Sequence, residues 1–431
     1  MSHDTALARF EALFGPEFGH GRPFDLAPLR AALAALGSPQ RKLAPIVHVA
    51  GTNGKGSTIA FLRAIAEAAG LRVHVFSKPH LLSLRERFRI AGALINDDAL
   101  CSAAARVHAA QANLSQFEAQ IAAAFLLFSE TPADLVLLET GFGGRDDATN
   151  VIAAPALSLL MPIDFDHQDI LGRTRQEIAA HKAGIIKPGA PAIAARQHED
   201  AAAVLVAAAD RAGAPLLLGG RDWDVYARGG RLLVQTETRL LDLPPPALFG
   251  PHQVENAGLA AMAALALGDA RIHEETIAAG LRHAHWPARL HPIVRGPLAE
   301  RVRLAGGELW IDGGHNPHAA HALAAALTEL NRRASRPTIA IVALRTRKDG
   351  ESFVAALAPA LTALITTTIT GDSCVAPEAL AKAASGVRAE TAPDLEAALD
   401  AALRTPGARI VICGSLKIAG AALASAGFTP Q

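Results

Sequence analysis

Short apolar runs alternate along this chain with longer segments in which apolar residues recur at helical spacing. The apolar runs predict buried strands at residues 45–50, 72–76, 133–139 and 156–162. Helices are predicted among them at residues 58–69 and 117–129. This alternation indicates a mostly parallel sheet covered on both faces, with ligands bound at the carboxyl ends of its strands.

The pattern changes between residues 217 and 243. Two strand-like stretches, residues 223–227 and 231–236, flank Gly229-Gly230 and predict a hairpin, and residues 250–267 then predict a helix. The prolines and glycine of residues 287–297 predict a linker. A second α/β pattern follows from near Arg301, with strands predicted at residues 308–311, 338–342, 361–368 and 409–413 and helices at residues 318–330, 352–358, 377–384 and 395–403.

Composition narrows the classes of partner. The chain has 41 Lys and Arg residues and 41 Asp and Glu residues, a balance that gives no reason to expect a nucleic acid or an anionic membrane. Its three cysteines lie far apart and lack metal-ligand spacing, which is typical of free thiols in a reducing compartment. Because neither a signal peptide nor a membrane-spanning apolar run is evident, we expect a soluble, cytoplasmic protein. We also expect it to be a monomer that acts on small molecules.

The segment from Val47 to Thr58 runs from an apolar strand through a glycine-rich turn to a lysine and two hydroxyls. Backbone N–H groups of such a turn, together with the N-terminus of the next helix, cradle a polyphosphate. Lys55 would reach its terminal phosphates, and Ser57 or Thr58 would hold Mg²⁺. Only two residues separate Gly51 from Gly54, fewer than in the usual pattern, so a packing turn without a ligand is the alternative.

Two further strands end in side chains that can bind a metal. Glu139 ends the strand predicted at residues 133–139 and precedes a glycine-rich turn, as does the acid that meets Mg²⁺ in nucleotide hydrolases. His167 follows the strand predicted at residues 156–162. In a parallel sheet both would lie at the same edge as Lys55. The alternatives are a carboxylate that caps the sheet edge and a structural histidine.

Thr174 and Glu177 have the spacing of a capping box, which predicts that a helix begins there and ends before Gly184. Lys182 falls in its last turn, where a lysine ordinarily favours the helix dipole. The functional alternative is a lysine that reacts with CO₂ to give a carbamate, which replaces a positive charge by a negative one and can bridge a metal.

Polar residues also follow strands of the second pattern. Asp312 and His315 follow the strand predicted at residues 308–311, where they could contact a nucleotide or a metal. An Asp-Gly turn with a helix cap is the alternative. The segment from Arg345 to Asp349 follows the next strand and suggests a second wall of polar groups.

Together these motifs resemble the folylpolyglutamate synthase/dihydrofolate synthase family, relatives of the Mur ligases. The resemblance covers roughly residues 40 to 420 in the family's order, and its segments are residues 48–57, 139–150, 166–174, 182–189, 250–257, 286–289, 312–317 and 414–416. It implies an α/β fold in two parts. Residues 1–295 would form a Mur-ligase-like P-loop ATPase domain with a mostly parallel sheet, and residues 296–431 a smaller Rossmann-like ligase domain.

The resemblance also implies roles for individual residues. ATP would be bound, from both domains, by Thr52, Asn53, Gly54, Lys55, Gly56, Ser57, Thr58, Asn256, Arg289, Asp312 and His315. Two Mg²⁺ ions would be held by Ser57, Ser77, Glu139, His167 and a carbamylated Lys182. The substrate would meet His80, Phe117 and Asp147. Lys55, His167 and Lys182 would be the catalytic residues.

The implied reaction is ATP-dependent addition of L-glutamate to a folate-type carboxylate, dihydropteroate or tetrahydrofolate, through an acyl phosphate. Some residues depart from the family where the acceptor would sit: Lys78 replaces a serine, His181 an acid, and the segment after Phe117-Glu118 lacks threonines. A related ligase that joins a non-folate acid to an amino acid therefore stays open. So does a non-catalytic nucleotide-binding protein, although the presence of Lys55, Glu139, His167 and Lys182 argues against it.

Overall fold

A computed structural model describes residues 4–17 and 25–430. Their Cα atoms cluster into two compact units. The first unit comprises the described residues up to Ala247 together with Val254–Ala284, and the second comprises Leu248–Gln253 and His285–Pro430. The predicted domain boundary between residues 295 and 296 stays a prediction, while the contacts divide the chain between Ala284 and His285.

An eight-stranded sheet forms the centre of the first unit, in the order β4-β3-β2-β5-β1-β6-β7-β8. Its strands are β1 Ile46–Ala50, β2 Val73–Phe76, β3 Phe88–Ile90, β4 Ala93–Leu94, β5 Leu135–Glu139, β6 Leu157–Leu160, β7 Ala192–Ala194 and β8 Leu216–Leu218. All neighbours are parallel except the pairs β2–β3 and β3–β4. The central strand β1 lies between β5 and β6, so the predicted functional ends of these three strands are adjacent.

In the part of the chain that the structure describes, ten α-helices precede the second sheet: α1 Thr5–Phe14, α2 Ala27–Ala35, α3 Lys55–Ala68, α4 Asp97–Ala110, α5 Gln116–Glu130, α6 Gln168–Leu171, α7 Arg175–Lys182, α8 Glu199–Ala212, α9 Pro251–Ala266 and α10 Glu274–His283. The capping box predicted at Thr174 and Glu177 opens α7, and a second one, Ser115 with Glu118, opens α5. Each box satisfies N–H groups that the first helical turn leaves without partners.

The central strands β1, β5 and β6 are buried along their whole length, as their continuous apolar runs predict. An aromatic and aliphatic core packs against one face of the sheet and includes Phe76, Phe88 and Phe125. The predicted hairpin is confirmed as part of a small antiparallel sheet, whose strands are β9 Trp223–Arg228, β10 Arg231–Thr236 and β11 Leu240–Leu243.

The second unit has a six-stranded sheet in the order β12-β13-β17-β14-β15-β16. These strands are β12 His291–Ile293, β13 Glu308–Ile311, β14 Thr338–Val342, β15 Ala363–Thr366, β16 Arg388–Thr391 and β17 Arg409–Cys413. All neighbours are parallel except β12 and β13. Its helices are α11 Pro297–Leu304, α12 Pro317–Arg333, α13 Gly350–Leu357, α14 Pro377–Ala383, α15 Leu395–Leu403 and α16 Leu416–Ser425.

Two sequence expectations need correction or extension. The segment predicted as a linker, residues 287–297, contains β12, which pairs with β13 because its backbone completes the edge of the second sheet. The helices that were not predicted are α1, α2, α4, α6, α8, α10, α11 and α16. Among residues 4–17 and 25–430, no helix combines the length and the apolar character needed to cross a bilayer.

Candidate functional site

The loop after β1 is closed on itself by hydrogen bonds. The Lys55 ammonium donates to the carbonyl oxygens of Gly51 at 3.0 Å and Thr52 at 3.1 Å. The Thr52 hydroxyl donates to the Asp164 carbonyl oxygen at 2.9 Å, which ties this loop to the segment after β6. Helix α3 begins at Lys55, so the N–H groups of its first turn lie at the loop.

Two glycines give this loop the tight backbone that a phosphate site needs, because the surrounding residues leave no room for a side chain at either position. Gly54 has φ +89°, and a Cβ there would lie 2.4 Å from the side-chain oxygen of Asn256. Gly51 has φ +147°, and a Cβ there would lie 2.3 Å from the Cβ of Met161. Asn256, predicted as an ATP contact, therefore lies beside the loop, and the Thr58 hydroxyl donates to its carbonyl oxygen at 3.4 Å.

Lys182, at the end of α7, is buried against the same loop. Its ammonium donates to the Gly51 carbonyl oxygen at 2.8 Å, so that this oxygen accepts from both Lys55 and Lys182. Burial, with the nearby charge of Lys55, lowers the pKa of Lys182 from 10.5 to about 7. A large share of its amine is therefore neutral near physiological pH, which is the form that attacks CO₂.

The glycine-rich turn after β5 packs directly on the Lys182 segment. A Cβ at Gly144 would lie 2.8 Å from the His181 carbonyl oxygen, and a Cβ at Gly184 would lie 2.4 Å from the Arg145 Cα. The Arg145 N–H donates to the His181 carbonyl oxygen at 2.7 Å. Glycine at both positions thus lets the two backbones approach closely enough to hold Lys182 in place.

The predicted metal ligands lie at the ends of neighbouring strands. Glu139 is paired with Val49 in the sheet register and is 3% exposed, and its Oε2 accepts the Lys78 N–H at 3.1 Å. His167 follows β6, has φ +52° and packs edge-on against Phe142, with 5.0 Å between ring centroids. A non-glycine residue at positive φ is strained, and such residues concentrate at functional sites.

The donor types suit a hard divalent cation. Ser57 and Glu139 offer oxygen ligands, which Mg²⁺ prefers, and an imidazole such as His167 also binds Mn²⁺. Residues 4–17 and 25–430 contain no cluster of three or more His, Cys, Asp and Glu side chains able to hold a metal. A metal at this edge would therefore depend on the hydroxyl, and on Lys182 once it is a carbamate.

Two residues predicted to meet the substrate, Phe117 and Asp147, lie near Lys78, whose N–H contacts Glu139. The Lys78 ammonium lies 4.9 Å from the centroid of the Phe117 ring. A Cβ at Gly141 would lie 2.2 Å from that ring, so glycine makes room for Phe117. The Asp147 carboxylate accepts N–H groups of Phe142 at 2.5 Å and Thr149 at 2.9 Å, while burial raises its pKa.

His80, the third predicted substrate residue, is held by a buried arginine. Arg87 is 2% exposed, and its Nε donates to His80 Nδ1 at 3.1 Å. Its other nitrogens donate to both carboxylate oxygens of Glu17, at 2.8 and 2.9 Å, and to Gln120 at 2.7 Å. Because His80 Nδ1 accepts, the proton of the neutral ring is on Nε2.

The second unit brings together three of its predicted residues. The Asp312 carboxylate accepts the N–H groups of Leu290 at 2.8 Å and Gly314 at 2.7 Å. A Cβ at Gly313 would lie 2.8 Å from Arg289 Nη1, and His315 Nδ1 lies 2.9 Å from the Gly313 carbonyl oxygen. These residues stay predicted nucleotide contacts.

Sequence reasoning missed several side chains that shape the first unit's site. His48, inside β1, donates from Nε2 to the Thr149 hydroxyl at 2.8 Å, and that hydroxyl donates to Asp147 at 2.6 Å. The Arg87–Glu17 pair was also missed, because nothing local signals a partner so far along the chain. A polar residue within a continuous apolar strand, such as His48, was the available signal.

Two domain families match the chain. The Mur ligase middle domain matches residues 49–265, and the Mur ligase glutamate ligase domain matches residues 299–416. The folylpolyglutamate synthase of Lacticaseibacillus casei is 35% identical over 408 residues, which cover 90% of this chain and 91% of that relative. The chain belongs to the folylpolyglutamate synthase/dihydrofolate synthase family.

Solved structures of this family match the chain over nearly its whole length. Escherichia coli FolC in complex with DHPP and ADP has a TM-score of 0.86 and 28% identity, over 98% of this chain and 97% of that one. A bifunctional folylpolyglutamate synthase/dihydrofolate synthase with Mn, AMPPNP and L-glutamate bound has a TM-score of 0.85 and 29% identity, over 99% of both chains. The predicted family, fold class and ligase class are thus confirmed.

Proposed function

We propose that this protein is an ATP-dependent ligase that adds L-glutamate to a folate-type carboxylate, dihydropteroate, tetrahydrofolate or both. The observation that carries the proposal is the closed phosphate loop beside the buried, pKa-lowered Lys182 and Glu139, at the ends of adjacent parallel strands. Relatives over the full length of the chain carry the names of this activity, and solved relatives hold ADP or AMPPNP, Mn, DHPP and L-glutamate.

The reaction proceeds in two transfers. In the first, a carboxylate oxygen of the acceptor attacks the γ-phosphorus of ATP, and the bond from that phosphorus to the β-phosphate oxygen breaks. The acceptor becomes an acyl phosphate, and ADP is released. The glutamate amine then attacks the acyl carbon, the bond to the phosphate oxygen breaks, the amine loses a proton, and an amide and inorganic phosphate result. A carboxylate is otherwise a poor acyl donor, which explains why ATP is consumed.

In this proposal the loop after β1 binds the phosphates. The residues from Thr52 to Thr58 surround them with N–H groups at the start of α3, and the Lys55 ammonium exchanges its carbonyl partners for phosphate oxygens. Asn256 contacts the same loop and stays the predicted ATP contact of α9. Arg289, Asp312 and His315 stay predicted ATP contacts of the second unit.

The metal set is proposed as Ser57, Ser77, Glu139, His167 and carbamylated Lys182. Carbamylation joins the neutral Lys182 amine to the carbon of CO₂ with release of one proton, and it converts a neutral group into an anion. Mg²⁺ bound by these residues would neutralise charge on the phosphates as they transfer. The low pKa and burial of Lys182 support this assignment, because a protonated amine does not react with CO₂.

Phe117, Asp147 and His80 are proposed to receive the acceptor. Phe117 offers an aromatic face, and Asp147 a fixed carboxylate that accepts hydrogen bonds. His80 offers Nε2–H as a donor, since Arg87 occupies its other nitrogen. We further propose that the protein works as a cytoplasmic monomer with small-molecule substrates and without a nucleic-acid or membrane partner, which its balanced charge supports.

The test measures ADP release with each acceptor, with and without L-glutamate and Mg²⁺. We expect release that requires all components, and an amide product heavier by one glutamyl residue. Release with a non-folate aromatic acid, but with no pterin acceptor, would instead establish the related ligase. Lys55→Met is the negative control because it keeps the length of the side chain but not its charge, whereas the exposed Lys382→Met should behave like the wild type.

A further inference from the structure

Lys78 lies in the proposed acceptor pocket, but the proposed function assigns it no role. Its backbone N–H donates to Glu139 Oε2 at 3.1 Å, which places its main chain at the proposed metal. Its ammonium extends away to the Phe117 ring, 4.9 Å from the centroid. The Lys78 residue therefore extends from Glu139, at the proposed metal, to the ring of Phe117.

Lys78 alters the charge of this pocket. Burial lowers the pKa of Lys78, whereas the carboxylates of Glu17, Asp147 and Glu139 favour its charged form and Arg87 opposes it. Lys78 brings a positive charge to this pocket, where the serine usual in the family brings none. An anionic acceptor is therefore repelled less here.

The ammonium offers a partner for a second carboxylate of the acceptor. In an acceptor that already ends in glutamate, the γ-carboxylate would react at the metal and phosphates, and the α-carboxylate lies a few bonds away. The Lys78 main chain lies beside the proposed metal ligand Glu139, and its side chain carries the ammonium from there to the Phe117 ring. An acceptor without glutamate has no carboxylate at that distance from its reacting group.

We propose that Lys78 is a specificity-determining residue that binds the α-carboxylate of a glutamyl-tailed acceptor, so that this chain favours dicarboxylate acceptors over pteroate-type monocarboxylates. This inference rests on the proposed function. A hydrogen bond between an ammonium and a carboxylate contributes enough to change affinity roughly ten- to a hundredfold.

The test compares KM for tetrahydrofolate and dihydropteroate in the wild type, Lys78→Met and Lys78→Arg. Methionine keeps the apolar stem against Phe117, and arginine keeps the charge. We expect Lys78→Met to raise KM for tetrahydrofolate about tenfold more than KM for dihydropteroate, and Lys78→Arg to restore most of the difference. KM for ATP should not change, and equal melting temperatures would show that the fold is kept.

Each result has a distinct meaning. A wild type that uses neither acceptor refutes the proposed function, and this inference with it. A wild type that uses only dihydropteroate, or KM values that change by the same factor for both acceptors, refutes the Lys78 assignment alone. Exclusive use of tetrahydrofolate supports the assignment, provided that its KM rises in Lys78→Met and recovers in Lys78→Arg.

Discussion

Replacement of Lys182 by methionine should make the protein more stable and less active. Lys182 is 5% exposed, and its pKa falls from 10.5 to about 7 because burial disfavours the ammonium. The unfolded chain holds the proton over a range in which the folded chain has lost it. The energetic cost of burial is therefore complete below about pH 7 and disappears as the pH rises toward 10.5.

The magnitude follows from that difference. At about 1.4 kcal/mol per unit of pKa, the fall from 10.5 to about 7 corresponds to roughly 5 kcal/mol. Methionine removes this cost but also the hydrogen bond to the Gly51 carbonyl oxygen, which contributes about 1 kcal/mol. We expect Lys182→Met to be more stable by about 4 kcal/mol near pH 6.5, with a difference that shrinks toward zero near pH 9.5.

Urea denaturation followed by circular dichroism, in CO₂-free buffer from about pH 6.5 to 9.5, measures the free energy of unfolding. The exposed Lys382→Met is the matched control and should show no pH-dependent difference from the wild type. In parallel, carbon-13 NMR with labelled bicarbonate should show a carbamate signal that Lys182→Met lacks. The variant should lose at least about a hundredfold in kcat.

Two results would refute this reasoning. If Lys182→Met were less stable than the wild type at every pH, burial of the Lys182 ammonium would not destabilise the fold, and its pKa would be ordinary. If the stability difference did not vary with pH, the amine would titrate alike in the folded and unfolded chains. Either result removes the physical basis for a reactive neutral amine.

Three further variants test the neighbouring contacts. Gly54→Ala should weaken ATP binding at least about tenfold by calorimetry, because the added Cβ would lie 2.4 Å from the side-chain oxygen of Asn256. Gly70→Ala is the control for backbone strain, because Gly70 has φ +78° and open space around it. Equal losses of ATP affinity in the two variants would contradict the expectation. Arg87→Met should lower the free energy of unfolding by about 3–5 kcal/mol above pH 4.5, because it leaves the Glu17 carboxylate buried without its partner. This difference should shrink as the pH falls toward the Glu17 pKa of about 2. The control Arg106→Met, which breaks an exposed ion pair, should lower the free energy of unfolding by less than about 1 kcal/mol. Glu139→Gln should raise the Kd for Mn²⁺ at least about tenfold, and an unchanged Kd would exclude this side chain as a ligand.

The central sheet was predictable because its strands carry two signals at once. β1, β5 and β6 are continuous apolar runs, and each is followed by residues with recognisable chemistry. Parallel pairing then places Lys55, Glu139 and His167 at one edge, without any knowledge of the loops. Short strands such as β7 and β8, at three residues each, are too brief to show a period.

The acceptor side was less predictable, because tertiary contacts decide it. Lys78 follows β2 and Phe117 lies in α5, and no local pattern places the ammonium over that ring. Arg87 and Glu17 are 70 residues apart, so their pairing appears only in the fold. The pKa of Lys182 likewise depends on burial in the fold and on the nearby charge of Lys55, whereas the sequence shows only a lysine in the last turn of a helix.

The central claim is that ATP is spent to activate a carboxylate, and transfer of oxygen tests it most directly. The acceptor is prepared with oxygen-18 in its reacting carboxylate, and the released phosphate is analysed by mass spectrometry. An acyl phosphate requires one labelled oxygen to move from the acceptor to phosphate in each turnover. Phosphate that carries no label, although the amide forms, would contradict the account.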